Sequence, residues 1–122
     1  MKRLLILVAP FVLASSIGGA PAWSAEAETV FKFYCAQCHG LGGKGDGPNV
    51  TKDFPVSPRD FTNAKEMDKL SDADLKNVIL DGGPSMSKSP LMPPWGKTLT
   101  IEQVDGLIKH LRAFCNCKGK QG

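Results

Sequence analysis

Two thiols and an imidazole stand close together at Cys35-Ala36-Gln37-Cys38-His39. Thiols three positions apart lie on one side of a helical turn. There they can add to the two vinyl groups on one edge of a porphyrin, and the next residue, His39, faces the iron as proximal ligand. The pentapeptide is therefore read as a site of covalent haem attachment. Other uses of the pair fit less well. A redox-active C-x-x-C belongs in a βαβ context, and no alternating β pattern is present. A structural zinc site needs a second ligand pair at suitable spacing, and Cys115 and Cys117 lie far along the chain with one residue between them. A plain Cys35–Cys38 disulfide would leave His39 incidental.

A chain of 122 residues is the length of one small domain. Its first stretch does not belong to that domain. Lys2 and Arg3 precede an apolar run from Leu4 to Ala14, broken by Pro10 and followed by Ser15, Ser16, Gly18, Gly19, Ala20 and Ala22. That order is the pattern of a secretory signal peptide over residues 1–25, and its apolar part falls short of the roughly 20 residues that span a bilayer. An uncleaved membrane anchor is the alternative. Small-x-small sites would place cleavage after Ala22, Ser24 or Ala27. The folded domain is then 26–117, and 118–122 is a polar, frayed tail. Export implies a periplasmic or otherwise extracytoplasmic, oxidising location. A domain so small buries a limited core and needs a staple, which a covalent haem would supply. Of fifteen Lys and Arg, removal of Lys2 and Arg3 leaves thirteen against twelve Asp and Glu. These charges are scattered, which excludes the clustered basic face of a nucleic-acid binder.

The elements that must position the thiols and the imidazole are helical. Residues 25–38 predict a first helix, with Val30, Phe33 and Tyr34 on one face. Gly40, Gly42, Gly43, Gly45 and Gly47, closed by Pro48, make a loop. Residues 49–63 show no period and read as an irregular, wrapping segment. Ser71-Asp72-Ala73-Asp74 resembles a capping box and opens a middle helix with Leu75, Val78 and Ile79 as its stripe, stopped by Gly82-Gly83-Pro84. Residues 84–98 read as loop. Thr100-Ile101-Glu102-Gln103 is a second capping box, opening a last helix with Val104, Leu107, Ile108, Leu111 and Phe114 on one face. The expectation is a small all-α domain, its long loops wrapping one haem.

With these pieces in hand, the chain resembles the class I cytochrome c family from about Thr29 to Phe114. The carrying pieces are Cys35-Ala36-Gln37-Cys38-His39-Gly40, Gly45-Asp46-Gly47-Pro48, Leu91-Met92-Pro93-Pro94-Trp95-Gly96 and the last helix. The resemblance implies one covalently attached haem c, held by Cys35 and Cys38, with iron between His39 and a methionine. Met92 is the methionine in the matching loop; Met86 is the lesser candidate. A soft thioether favours Fe(II) and raises the potential. The resemblance also implies a proline carbonyl, matched by Pro48, as acceptor of the His39 Nδ1–H. Trp95, Arg59 and Lys97 are candidate donors to the haem propionates. Phe33, Leu107 and Leu111 are assigned to the contact between first and last helices. His110, the only other histidine, is read as a packing or surface residue.

The function expected is electron transfer without substrate chemistry. The partners are redox proteins: a membrane complex or periplasmic dehydrogenase as donor, an oxidase or reductase as acceptor. No nucleic acid and no small-molecule substrate are expected. A dedicated cytochrome subunit of a larger oxidoreductase is the alternative. An open-site haem sensor or enzyme would require Met92 off the iron. Cys115-Asn116-Cys117 departs from the family pattern. A tight disulfide, a bridge to a partner chain and free thiols near a frayed end all remain open for it.

Overall fold

The computed structural model describes residues 22–121. Residues 1–21 of the expected signal peptide lie outside that range, and its last positions, 22–25, are helical. The elements are helix α1 (Ala22–Val30), a π-turn (Phe31–Cys35), α2 (Ala36–His39), α3 (Ala64–Met67), α4 (Asp72–Asp81), a 3-10 turn (Gly83–Met86) and α5 (Ile101–Cys115). No strand occurs among the described residues.

Both capping boxes form. Ser71 Oγ accepts the Asp74 N–H at 3.1 Å, and the Asp74 carboxylate accepts the Ser71 N–H at 2.8 Å. Thr100 and Gln103 repeat the exchange at 3.2 and 3.0 Å at the head of α5. Each box satisfies backbone donors that a helix start leaves unpaired. Gly82, at φ 82°, ends α4. Helix α3 was not foreseen. It is a single short turn, capped by Asn63, whose side chain accepts the Glu66 N–H at 3.3 Å. The 3-10 turn was likewise expected to be loop.

Helix α5 packs against both α1 and α4, and Phe31, Leu75, Ile79, Val104, Leu107 and Leu111 are buried in the core they share. The buried face of the first helix differs from the expected one. Phe33 is 72% exposed, whereas Phe31 is 1% exposed, so Phe33 takes no part in the helix contact. The stripe that turns inward is Ala27, Val30 and Phe31. Two causes set it. Ala27 is the residue that meets α5 at Gly106, which fixes the rotation of α1. The π-turn then shifts the α period, so the helical run continues through Cys38 as expected but with its later side chains rotated about the axis. His110 does pack, with its ring 5.1 Å from Phe31 and 4.9 Å from Phe114.

The tail also departs from expectation. Gly119 N–H donates to Asp68 at 3.0 Å and Lys120 N–H to the Leu70 carbonyl at 3.1 Å, so the chain beyond α5 is held against the α3–α4 corner rather than frayed.

Phe31→Ala should destabilise the protein by about 3–5 kcal/mol through the cavity it leaves. Phe33→Ala should change stability by no more than about 0.5 kcal/mol. Denaturant midpoints of the two purified variants check the assignment, and equal losses would contradict the buried stripe.

Candidate functional site

Cys35 closes the π-turn, and Cys38 and His39 lie on α2. This short helix would leave its last carbonyls without partners. The glycine loop supplies them. Gly45 N–H donates to His39 O at 2.8 Å, Gly47 N–H to Cys38 O at 3.1 Å and Asn49 N–H to Gln37 O at 2.8 Å. The approach is so close that a Cβ on Gly47 would run into the Ala36 and Gln37 carbonyls. Gly45, at φ 78°, lies against the Pro58 carbonyl in the same way.

That second approach brings Pro58–Phe61 under His39. Nδ1 of His39 lies 3.2 Å from the Arg59 carbonyl oxygen. A carbonyl only accepts, so Nδ1 carries the hydrogen and Nε2 keeps its lone pair. The Phe61 ring stacks on the imidazole at 4.5 Å and 24°. The acceptor is therefore Arg59 and not Pro48. Pro48 lies between Gly47 and Asn49, whose amides are tied to α2, and the carbonyl that reaches the ring comes from the later segment. Burial pushes the His39 imidazole below its ordinary range, against the Arg59 carbonyl bond, which acts the other way. The ring is thus neutral at neutral pH. The Cys35 thiol is pushed up to about 12, first by burial and then by the neighbouring Cys38. Cys35 and Cys38 are not bridged to each other.

Met92 is positioned from α4. The end of that helix offers carbonyls, and the loop after it returns with donors. Trp95 N–H donates to Ile79 O at 2.9 Å and Gly96 N–H to Leu80 O at 3.0 Å. Gly83 N–H donates to Met92 O at 2.9 Å, so backbone bonds hold the loop at Met92 itself and just beyond it.

These pieces border one cavity of about 450 Å³. Cys35, Cys38 and His39 line it together with Met92 and Trp95. Leu75, Val78 and Ile79 of α4 and Leu107 and Leu111 of α5 supply apolar wall. Arg59 and Asn63 are among the polar residues at its border, which also include Asp60, Glu66, Asp74 and Lys88, although the exposed lining is mainly apolar. A large, mainly apolar pocket with a few polar groups suits a flat apolar macrocycle with polar substituents, and its two unbridged thiols, neutral imidazole and thioether are donors suited to haem iron and its attachment. Met86 also reaches this cavity, while Lys97 is exposed and does not border it. Among the described residues no cluster of three or more His, Cys, Asp or Glu is arranged to hold a metal ion, so the zinc reading finds no support in them.

A family model described as "Cytochrome C oxidase, cbb3-type, subunit III" matches residues 21–111. The chain belongs to this family of c-type cytochromes. Cytochrome c6 of Rippkaea orientalis (strain PCC 8801 / RF-1) is 32% identical over 117 residues, which cover 93% of this cytochrome and 94% of that relative. Among solved structures, the KustC0563 c-type cytochrome is 27% identical with a TM-score of 0.57, over 72% of this chain and 95% of its own. A chain of the Kuenenia stuttgartiensis reducing HAO-like protein complex is 33% identical with a TM-score of 0.59, over 73% of this chain and 41% of its own. The cytochrome has the class I-type all-α fold, carries covalently bound haem c and transfers electrons.

The glycine contacts beneath α2 can be tested directly. Gly47→Ala should cost about 1–3 kcal/mol, since the added methyl must push the loop off the Ala36 and Gln37 carbonyls. Gly42→Ala, with nothing within 4 Å of the new methyl, should stay within about 0.5 kcal/mol. Denaturation of the two holo variants, followed by the haem absorbance, measures the difference.

Proposed function

We propose that Cys35 and Cys38 hold the haem through thioethers, that His39 and Met92 are its axial ligands, and that the protein is an extracytoplasmic one-electron carrier with no substrate chemistry of its own. The observation that carries this reading is that all four side chains border the same cavity. When bound, the haem supplies a one-electron Fe(III)/Fe(II) couple, whose potential a thioether ligand raises. The Arg59 carbonyl fixes the His39 tautomer and turns Nε2 toward the cofactor. The backbone bonds around Met92 hold its loop in one place, so the ligand set need not change between oxidation states. Arg59 and Trp95 border the cavity and serve as donors to the propionates.

The partners are redox proteins. A membrane complex or periplasmic dehydrogenase donates the electron, and an oxidase or reductase accepts it. Near-neutral overall charge favours weak encounters steered by local patches. The leader-like sequence of residues 1–25 supports export, as does the disulfide at the C-terminus. No described helix is long and apolar enough to cross a membrane. A second reading, a dedicated subunit of a larger oxidoreductase, is favoured by the likeness to a chain of a multi-protein complex. Co-purification of a stoichiometric partner would favour that reading.

The optical spectrum tests the ligand set. The oxidised protein should show the weak far-red charge-transfer band of sulfur-to-iron ligation, and Met92→Ala should abolish it and lower the reduction potential. Met86→Ala should keep the band; loss in that variant alone would move the ligand to Met86.

The leader has its own test. Ala27 is buried against Gly106, and Glu26 accepts the Gln103 side-chain N–H at 3.2 Å. Processing after Ala27 would strip both contacts, so the mature protein should begin at Trp23 or Ala25. The intact mass of the periplasmic protein decides this, and a chain beginning at Glu28 would overturn it.

A further inference from the structure

The C-terminal end of α5 carries a disulfide that the electron-transfer reading does not use. Cys115 and Cys117 are bridged, only two positions apart. So short a loop gives the least stabilisation that loop closure can supply, which points to a local task. Asn116, between the two cysteines, is the cap of α5 in the left-handed region at φ 47°, where residues other than glycine are uncommon. The reversal there aims the tail at the α3–α4 corner, where Gly119 and Lys120 bond Asp68 and Leu70. Arg112, its side chain 10% exposed, braces the same corner. It donates to Met67 O at 2.8 Å, Leu70 O at 2.7 Å and Asp72 at 3.0 Å, and its guanidinium lies 3.9 Å from Cys117 Sγ. Leu70 in turn borders the haem cavity. Bridge, Arg112, tail and cavity wall form one connected set.

We propose that Cys115–Cys117 is a second redox site, a two-electron disulfide exchanged by dithiols, whose reduction unclasps the tail from residues 67–70, of which Leu70 borders the cavity. A donor thiolate attacks Sγ of Cys115. The S–S bond breaks, and its electron pair leaves on Cys117, beside the Arg112 guanidinium, which favours a thiolate. Cys115 Sγ faces the Arg112 and Leu111 carbonyls at 3.4 and 3.9 Å, which favour a thiol. The donor's second thiol then resolves the mixed disulfide and releases Cys115. The donor ends as a disulfide, and the cytochrome has gained two electrons and one proton, on Cys115, with Cys117 left as the thiolate. Without the bridge, the reversal at Asn116 rests on long backbone bonds of 3.4 Å to Ala113 O and 3.3 Å from Cys117 N–H to Arg112 O.

The test is a dithiothreitol titration of the holo cytochrome, with maleimide labelling read by mass spectrometry and amide hydrogen exchange read in parallel. The expected result is two labels, on Cys115 and Cys117, with the haem spectrum retained. Exchange at 67–70, Gly119 and Lys120 should rise by about tenfold or more. The Cys115→Ser/Cys117→Ser variant should show the same exchange without reductant. Labels that appear only in denaturant, or two labels with unchanged exchange, would overturn the proposal. Four labels would mean that Cys35 and Cys38 are free; that counts against the haem attachment, while exchange at 67–70 still decides the clasp.

Discussion

Where α1 crosses α5, a Cβ placed on Gly106 would stand 3.5 Å from the Ala27 Cβ. Two small residues let the helix backbones come close, and that crossing sets the rotation of α1 about its own axis. The rotation sends Phe31 into the core and Phe33 to solvent. It also determines where the chain leaves the π-turn, and so where Cys35, Cys38 and His39 meet the cavity. Leu107 and Leu111 of α5 serve both sides, packing in the core and walling the cavity. An alanine at Gly106 would make ordinary contact with Ala27, but a side chain longer than alanine would be felt at the haem, although Gly106 does not border it.

The placement of His39 and of Met92 depends on backbone more than on side chains. Beneath His39, three amides of the glycine loop and one carbonyl at Arg59 set the turn and the ring. Around Met92, amides at Gly83, Trp95 and Gly96 tie the loop to Met92 itself and to the open end of α4. A methionine on a free loop would pay its own ordering entropy each time it bound. Here helix ends that need donors and loops that need acceptors satisfy one another, so the Met92 loop is ordered in advance. An electron carrier benefits because little has to move when the charge on the iron changes.

Much of this was readable from residue types. Both capping boxes and the Gly82 stop express local rules, and local rules survive folding; the C-x-x-C-H residues and Met92, picked out by their motifs, come to border one cavity. What was misread depends on contacts distant in sequence. Phe33 looked like core because it is large and apolar, but the crossing at Ala27 and Gly106 involves residues with almost no hydrophobic signal. Pro48 looked like the acceptor for His39 by position, yet Gly45 and Pro58 close a loop that brings Arg59 there instead. The tail looked frayed because it is polar, but its bonds are made by backbone amides, which composition does not report.

The chain holds two cysteine pairs with different surroundings. Cys115 and Cys117 are bridged, while Cys35 and Cys38, the attachment signature, are not bridged to each other and border the apolar cavity. Burial, with the neighbouring Cys38, pushes the Cys35 thiol up to about 12. Thiol–disulfide exchange needs a thiolate, so a group held protonated is a slow nucleophile toward the tail disulfide. The cavity that suits an apolar macrocycle therefore also guards Cys35 against scrambling while it is a free thiol. The tail pair is also half-buried against the core, but it differs in having the Arg112 guanidinium 3.9 Å from Cys117 Sγ, which favours a thiolate there. What separates the two pairs is thus the charge beside the sulfur rather than its exposure: an apolar cavity wall for one, a guanidinium for the other.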